Sequence, residues 1–399
     1  MSKINDLVKE MCPNGVEYKK LEKLLNYIQP GKYIVKDTNY KPQYNIPVLT
    51  AGKTFILGYT NEEDGIFEAS KECPVIIFDD FTTSNKWVDF EFKVKSSAIK
   101  MLVPKTKNIL KYIYYCMNNI KYSPKEHSRQ WIQTYSQFEI PLPPIEVQEE
   151  IVRILDKFGE LEAELEAELE ARKSQYEFWR GKVFDAKGKT KTYKLEKVLE
   201  SLKTGLNPRK FFRLNTEDAD GYYVTVREIG DRNVRYWESK DRVNKDGLLR
   251  INERANLEIG DVLFSGTGTI GRVSLIEETP DNWNVKEGVY ILKPKKEIIN
   301  PVYLMHLMRS DYMKKLYSDY IVGNPVSSVP MRDLKKVKFE LPDLDTQEKI
   351  SNILDKFDRL VNDITVGLPA EIELRRKQYE YYRNKLLDFE EIDHEFIAE

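Results

Sequence analysis

Hydrophobic residues recur with helical spacing along an acidic stretch, 146–187. At about 100° per residue, its apolar side chains fall within an arc about 120° wide. A helix of this length would extend about 60 Å, too far for one small core to cover, so the pattern predicts a partner helix. The stripe comprises Val147, Ile151, Ile154, Leu155, Phe158, Leu161, Leu165, Leu169, Tyr176, Trp179 and Val183.

A second acidic stretch, 343–388, supplies that partner within the same chain. Its apolar positions continue the pattern, and Gly367 and Pro369 interrupt it, which predicts a break or kink there. We expect the two helices to pair antiparallel as an intramolecular coiled coil. The apolar positions are Ile350, Ile353, Leu354, Phe357, Leu360, Val361 and Ile364 before the break, and Ile372, Tyr379, Tyr382 and Leu386 after it.

The chain also repeats itself once. IPLPPIEVQEEIVRILDKF (140–158) aligns with FELPDLDTQEKISNILDKF (339–357), and RKSQYEFWRGKV (172–183) aligns with RRKQYEYYRNKL (375–386). Upstream of these, YKKLEKLL (18–25) resembles YKLEKVL (193–199). A repeat this long indicates a duplicated half-molecule with a pseudo-two-fold axis rather than a solenoid.

The segments before each helix mix strand and helix patterns. Strand-like runs such as 74–78 and 289–293 accompany helical patterns at 110–120 and 302–317. The predicted fold class is therefore α+β, with two mixed α/β domains joined by two long antiparallel helices. The predicted divisions are a first domain at 1–145, a first helix at 146–187, a second domain at 188–342, a second helix at 343–388 and an acidic tail at 389–399.

Composition and charge narrow the function. Among the 399 residues, 41% are hydrophobic and 32% charged, which excludes wholesale disorder. The net charge is only −2, but the two domains are basic and the two helical stretches acidic, so phosphate-facing surfaces are expected on the domains. The chain shows neither an apolar run of transmembrane length nor a signal-peptide pattern at its start, and we expect a cytoplasmic protein.

Residues suited to catalysis or metal binding do not form a recognisable set. Cys12, Cys73 and Cys116 are widely spaced, and the three histidines are isolated, so we expect neither a zinc site nor a disulfide framework. GTGTIGRV (266–273) fits a glycine-rich nucleotide loop, but a strand-like segment follows where a helix would be needed. Its glycines are better suited to a close approach of the backbone to another surface. A nucleotide-using enzyme is a minor alternative.

The loops of both domains instead combine lysine, arginine, small hydroxyls, amides and aromatics, a mixture suited to DNA. Lysine and arginine neutralise phosphates, while arginine, asparagine, glutamine and threonine read base edges. The candidate contacts are Lys32, Lys36, Lys53, Thr82, Thr83, Asn85, Lys86, Arg129 and Gln130 in the first domain, and Lys203, Arg209, Lys210, Arg213, Arg227, Thr267, Thr269, Arg272, Asn324 and Ser327 in the second.

The repeated motifs QYEFWR and QYEYYR carry aromatics on more than one helix face. Phe178 and Tyr381 lie about 180° from the apolar stripe, so something besides the partner helix should cover them. Tyrosine, tryptophan and arginine are common anchors of protein interfaces. Two equivalent docking patches are predicted: Tyr176, Phe178, Trp179 and Arg180 in the first, and Tyr379, Tyr381, Tyr382 and Arg383 in the second.

Together these motifs resemble the specificity subunit of type I restriction-modification enzymes over nearly the whole chain. The resemblance rests on the two helix entries, on ILDKF in both copies and on QYEFWR and QYEYYR. The tetrapeptide EAEL (162–165 and 166–169) and the stretch 46–98 with VIIFDDFTTSNKW resemble the type IC group in particular. GDVLFSGTGTIGRVSLI (260–276) is similar to a glycine-bearing hairpin of such recognition domains. The second half lacks FDDFTT and should therefore read a different sequence.

The resemblance implies a non-catalytic subunit whose two domains each read one half of a bipartite double-stranded DNA site. It implies that the long helices fix the spacing and dock two adenine-N6 methyltransferase subunits, and that a nuclease-translocase subunit joins for restriction. S-adenosylmethionine, ATP and magnesium would bind those partners, with no cofactor on this chain. The alternatives are a coiled-coil scaffold that binds only proteins and a specificity-like subunit of another defence system.

Overall fold

The computed structural model describes residues 2–52, 54–105, 109–184, 190–230, 232–323, 325–362 and 366–392. The chain divides into two compact units. Unit 1 comprises Met1–Ala163 and Leu374–Glu399, and unit 2 comprises Glu164–Glu373. The boundaries between the two compact units therefore lie inside the helices α4 and α12. The sequence-based divisions instead place boundaries where a long helix begins or ends. In the described part of the chain, no helix is long and apolar enough to cross a membrane.

In its described residues, unit 1 builds its sheets from nine strands. In chain order the elements are α1 (Ser2–Met11), β1 (Glu17–Lys20), α2 (Leu21–Leu24), β2 (Leu25–Ile28), β3 (Ile46–Leu49), β4 (Ile56–Thr60), β5 (Val75–Asp79), β6 (Asn85–Val88), β7 (Lys93–Val94), β8 (Ile99–Pro104), α3 (Leu110–Asn119), β9 (Glu139–Leu142) and α4 (Ile145–Val183). Helix α4 continues beyond Ala163 into unit 2.

Unit 2 follows with the same kinds of element. They are β10 (Thr190–Lys194), α5 (Leu195–Val198), β11 (Leu199–Thr204), α6 (Pro208–Phe211), β12 (Gly221–Val224), β13 (Arg242–Val243), α7 (Lys245–Arg254), β14 (Val262–Ser265), β15 (Val273–Leu275), β16 (Trp283–Val285), β17 (Val289–Pro294), α8 (Pro301–Arg309), α9 (Asp311–Ser318), α10 (Met331–Leu334), β18 (Lys338–Pro342) and α11 (Leu344–Asn362). Helix α12 (Leu368–Leu386) ends in unit 1.

The two units share one sheet topology, strand for strand. Unit 1 has the orders β1-β9, β2-β8-β5-β6 and β4-β3-β7, and unit 2 has β10-β18, β11-β17-β14-β15 and β13-β12-β16. Even the parallel pair β3–β7 has its counterpart in β12–β16. The α+β class and the duplicated architecture are confirmed.

Each four-stranded sheet buries apolar strand residues against helices. Phe78 and Leu102 pack with Tyr112 of α3 in unit 1, and Phe264 and Leu292 pack with Tyr303 of α8 in unit 2. The predicted helix at 302–317 is two helices, α8 and α9. Ser310 separates them, because its hydroxyl donates to the Leu307 carbonyl at 2.6 Å and accepts from the Met313 N–H at 3.2 Å.

The long helices pack within each unit. In unit 1, Phe158 of α4 stacks on Tyr382 of α12 with ring centroids 5.4 Å apart, and Glu162 pairs with Arg376 at 2.6 Å. This register is antiparallel, as predicted. In unit 2, Tyr176 of α4 shares a core with Leu354 of α11. The predicted break is also present, since α11 ends at Asn362 and α12 begins at Leu368.

Three positions of the predicted apolar stripe are wrong. Trp179 is 46% exposed, Ile353 55% and Leu360 38%. The stripe assumed one partner along the whole helix, but α4 packs on α12 in unit 1 and on α11 in unit 2. A change of partner along α4 changes which of its faces is buried, so a single angular window fails at Trp179, near the end of that helix. This accounts for Trp179 but not for Ile353 and Leu360, which lie on α11. Ile364 lies outside the described residues.

The two ends of the chain meet in unit 1. The Val16 N–H donates to the Glu390 carbonyl at 2.8 Å, and the Ile392 N–H donates to the Val16 carbonyl at 3.0 Å. Leu386 and Leu387 enter the same core as Ile4 of α1. The segment that opens unit 1 is therefore closed by the last described residues.

Candidate nucleic-acid interface

The FDDFTT segment forms the turn of a hairpin between β5 and β6, which we call hairpin 1 (75–88). One carboxylate oxygen of Asp79 accepts from the N–H groups of Phe81 and Thr82, both at 2.9 Å, and so shapes the turn. Thr83 adopts a left-handed conformation with φ 61°. This tight turn leaves the Thr82 side chain exposed at its tip.

A second segment of unit 1, facing segment 1 (127–131), lies against this turn. The Gln130 N–H donates to the Asp80 carbonyl at 2.7 Å. The His127 ring stacks on Phe81 with centroids 4.6 Å apart, and the exposed Arg129 lies within 3.3 Å of the Asp80 carboxylate. Packing thus brings Thr82, Arg129 and an aromatic platform together.

The glycine-rich motif of unit 2 forms the corresponding turn, in hairpin 2 (262–275). Gly268 and Gly271 have φ 78° and 91°, values that favour glycine. The Ser265 hydroxyl accepts from the Arg272 N–H at 2.8 Å and donates to the Thr269 carbonyl at 2.5 Å, which closes the turn. The motif is thus a turn between two strands and lacks the helix of a nucleotide-binding loop.

Facing segment 2 (325–329) lies against hairpin 2 as its counterpart does in unit 1. The Gly268 N–H donates to the Ser327 carbonyl at 2.8 Å, and the Val329 N–H donates to the Gly266 carbonyl at 2.9 Å. The Arg272 guanidinium donates to the carbonyls of Val226 and Arg227 at 3.1 and 3.4 Å, which ties the loop after β12 to the hairpin. The candidates Arg227, Thr267, Thr269, Arg272 and Ser327 are therefore gathered at one place.

Lys32, Lys36 and the basic candidates on β11 and around α6 lie outside the two hairpins and their facing segments. Lys32 and Lys36 are exposed on the loop after β2, where the Lys36 N–H donates to Glu62 at 2.8 Å. Lys203 is exposed on β11, and Arg209, Lys210 and Arg213 are exposed on or just after α6. Asn85 and Lys86, at the start of β6, are half-buried. Lys53 and Asn324 lie outside the described residues.

Two candidates have side chains that are both buried and hydrogen-bonded inside the protein, which corrects their assignment as DNA contacts. Gln130 is 4% exposed, and its amide accepts from the Tyr122 hydroxyl at 2.7 Å and donates to the Ser128 carbonyl at 2.8 Å. Thr83 is 8% exposed, and its hydroxyl donates to the Thr82 carbonyl at 2.7 Å. Thr83 shapes the turn, and Gln130 shapes the facing segment. A sequence pattern does not distinguish such residues from surface ones.

The aromatic motifs of the long helices divide into an inner and an outer set. Tyr176 is buried, and Tyr379 and Tyr382 are half-buried, so they serve their own unit. Phe178 and Tyr381 are 56% and 60% exposed, and Trp179 is exposed as well. The half-buried Arg180 and Arg383 lie over the rings of Tyr176 and Tyr379, with distances of 5.3 and 5.4 Å to the centroids. An exposed aromatic surface remains on each motif.

Within the described ranges, no group of three or more histidine, cysteine or acidic side chains could hold a metal ion. What the geometry defines is a protein with two α/β domains of one topology. Each presents a hairpin braced by a facing segment, with basic and hydroxyl-bearing side chains at the surface. This is the arrangement of a duplicated DNA-recognition protein.

Comparison with known proteins identifies the family. The family model "Type I restriction modification DNA specificity domain" matches residues 13–171 and 187–374, and the chain belongs to this family. It is therefore the DNA-specificity subunit of a type I restriction-modification system, a non-catalytic component. It is 39% identical to the specificity subunit of the type I restriction enzymes EcoR124I/EcoR124II of Escherichia coli, over 98% of each chain.

More distant relatives agree. The chain is 28% identical to a putative type I restriction enzyme specificity subunit of Haemophilus influenzae, over 94% of this chain and 96% of that one. The crystal structure of a type I restriction-modification S subunit from M. genitalium superposes with a TM-score of 0.55 at 14% identity, over 94% of this chain and 96% of that one. The latter similarity shows the shared fold.

Sequence reasoning missed the buried residues beneath each hairpin. Nothing in the sequence around Asp80 indicates that its carboxylate is buried and accepts a hydrogen bond from the facing segment. The sequence around Lys100 and Tyr290 likewise gives no sign of their buried positions beneath the hairpins. Aligning the two hairpins would reveal these residues. The internal repeat of the sequence does not give that alignment, because the two turns share no residue pattern.

Proposed function

We propose that each unit reads one part of a two-part DNA site through its hairpin and facing segment. The observation that carries this is the repetition of one braced hairpin in both units, with turns of different length and largely different residues, FDDFTTS (78–84) in unit 1 and FSGTGTIGR (264–272) in unit 2. The same backbone support with a different side-chain surface is what two unlike half-sites require. The two units then contribute separately to one composite specificity.

The proposed DNA-facing side chains are the exposed or half-buried ones among the candidates. Lysines and arginines would neutralise phosphates, and hydroxyl, amide and guanidinium groups at the tips would contact base edges. We leave out Gln130 and Thr83, whose side chains are engaged internally. The set is Lys32, Lys36, Thr82, Asn85, Lys86 and Arg129 in unit 1, and Lys203, Arg209, Lys210, Arg213, Arg227, Thr267, Thr269, Arg272 and Ser327 in unit 2.

The exposed aromatics on the two motifs are proposed to dock two adenine-N6 methyltransferase subunits. Phe178 with Trp179, and Tyr381 on the second motif, are large apolar side chains that a partner would cover. The fold is shared with a chain of a solved structure that describes complex assembly of the type I restriction-modification system, with a TM-score of 0.57 at 13% identity over 94% of this chain and 98% of that one. S-adenosylmethionine would bind those partners, and ATP and magnesium a restriction subunit, in the cytoplasm.

The experiment is to co-express this chain with a methyltransferase subunit from its own genome and to map N6-methyladenine by single-molecule sequencing. We expect one two-part motif with a fixed gap. The matched control carries Arg129→Ala and Arg272→Ala, which should reduce methylation of that motif. A purified complex that adds no new methylation would contradict the proposal and favour a protein-binding scaffold.

A further inference from the structure

A buried pair of residues lies beneath each hairpin at equivalent positions. The sheet register pairs Phe78 with Lys100 in unit 1 and Phe264 with Tyr290 in unit 2, so Lys100 and Tyr290 correspond. Two residues after Phe78 and Phe264 come Asp80 and Gly266. Their N–H groups donate to Ala98 and Gly288 at 2.8 and 2.9 Å, which confirms that these two positions also correspond.

In unit 1 the pair is ionic and fully buried. The side chains of Asp80 and Lys100 are each 1% exposed, with the ammonium nitrogen 3.2 Å from a carboxylate oxygen. The other carboxylate oxygen accepts from the Trp131 N–H at 2.8 Å, and Arg129 reaches the same carboxylate from the surface. Asp80 therefore holds two residues of facing segment 1.

In unit 2 the same space is filled without charge. A Cβ atom at Gly266 would lie 2.1 Å from Tyr290 Cε2, so glycine is needed there because the tyrosine ring occupies the position of a side chain. The Tyr290 hydroxyl donates to the Val329 carbonyl at 2.8 Å. Tyr290 therefore holds facing segment 2 from the opposite strand.

We propose that Asp80 with Lys100, and Tyr290 with Gly266, are positioning residues that fix each facing segment against its hairpin and thereby set discrimination at one DNA half-site each. The inference rests on the proposed function, because it assumes that the hairpins read DNA. All four residues are buried, so they act through the residues they hold, notably Arg129. Removing one member of a buried charge pair strongly disturbs the structure around it, because the remaining charge is left uncompensated.

The test uses the complex with its methyltransferase subunits and compares methylation rates on the cognate site with rates on sites mismatched in one half. Asp80→Asn keeps the side-chain shape and the acceptor for Trp131, but loses the charge that holds Arg129 and Lys100. Tyr290→Phe keeps the ring and loses the hydroxyl. We expect Asp80→Asn to lower discrimination about tenfold at one half-site and Tyr290→Phe to lower it at the other, each leaving the opposite half within about twofold.

A matched control is Asp261→Asn. Asp261 is a buried aspartate paired with Lys293 at 3.2 Å, at the end of β14 opposite to the turn. It should lower the melting temperature without changing discrimination at either half-site. If Asp80→Asn does not yield a folded complex, the double variant Asp80→Asn with Lys100→Met removes the unpaired charge and should show the same one-sided loss.

Wild-type discrimination at both half-sites in a folded Asp80→Asn or double-variant complex would overturn the inference, as would equal losses at both halves. Either result leaves the proposed function intact, provided that the wild-type complex methylates a two-part motif. Absence of that motif in the wild type would instead contradict the proposed function.

Discussion

Gln148 and Gln347 make two equivalent hydrogen bonds in their two units. Each side-chain N–H donates at 2.8 Å to a proline carbonyl just before the long helix, at Pro143 and Pro342. Each amide oxygen accepts a backbone N–H just before the first turn of α3 or α8, at 3.4 and 2.9 Å. One buried amide thus fastens the start of a long helix to its α/β domain, which gives a physical reason for the glutamine in both copies of the repeat.

Replacing Gln347 should therefore destabilise unit 2. Gln347→Ala leaves the Asn300 N–H and the Pro342 carbonyl without this partner, and unpaired buried polar groups cost about 1–3 kcal/mol each. Denaturant unfolding of the purified chain would measure the loss. The control Lys356→Ala, at an exposed position of the same helix, should stay within about 0.5 kcal/mol of the wild type, and equal losses would contradict this role.

Because α4 is one continuous helix, a change in its length should change the spacing within the DNA site. EAEL occurs twice within it, and one further copy would lengthen the helix by about 6 Å. We expect the unspecified gap of the methylated motif to grow by one or two base pairs, at about 3.4 Å per pair. Methylome sequencing would measure the gap. Leu165→Ala, which keeps the length, should leave the gap unchanged, and an unchanged gap after the insertion would refute the spacing role.

The exposed aromatics predict a defect of assembly without a defect of folding. The double variant Phe178→Ala with Tyr381→Ala removes two exposed side chains that lie outside the hydrophobic core of their units, so the melting temperature should hardly change. Binding to the methyltransferase subunit should weaken at least tenfold, as for interface anchors of about 2 kcal/mol. Size-exclusion chromatography with light scattering would show this.

A control for the assembly defect is Leu249→Ala, an exposed apolar residue of α7. It should assemble normally. Tyr382→Ala should instead lower the stability of the chain itself, because the Tyr382 ring stacks on Phe158. Normal assembly of the Phe178 and Tyr381 variant would remove the docking role of these aromatics.

Stability should fall in mild acid because of His306. Burial, only partly opposed by Asp358, lowers the pKa of its imidazole to about 3. The unfolded chain, with a histidine pKa near 6.5, therefore takes up the proton first as pH falls. This contribution is complete above about pH 6.5 and is lost progressively towards pH 3. Between pH 7 and 5 it amounts to about 2 kcal/mol.

Unfolding free energies measured at pH 7 and pH 5 would check this sign and size. The variant His306→Met removes the titrating ring and should show a difference smaller by about 2 kcal/mol. The same pH dependence in both proteins would contradict a buried, neutral His306.

The sequence predicted the repeat, the antiparallel helices and the break near Gly367, since each depends on local spacing or on copied motifs. It did not predict that Asp80 and Gly266 occupy one position, because their equivalence lies in backbone hydrogen bonds and in which strand supplies the bulk. Nor did it separate Gln130 from Arg129 in HSRQW. One of these neighbours faces Tyr122 in the interior and the other faces solvent, a distinction that depends on tertiary packing.

Residues near Val16 and near Glu390 must both be present to close unit 1, so the order of synthesis decides when this unit can be completed. Unit 2 is one continuous segment, Glu164–Glu373, so all of it is synthesised before the residues that close unit 1. Unit 1 needs Leu386 and Leu387 for its core and Glu390 to pair with Val16. Of the two units, the one whose synthesis starts earlier is thus the later to be completed, and a chain cut short between residues 374 and 386 leaves unit 1 open while unit 2 is whole.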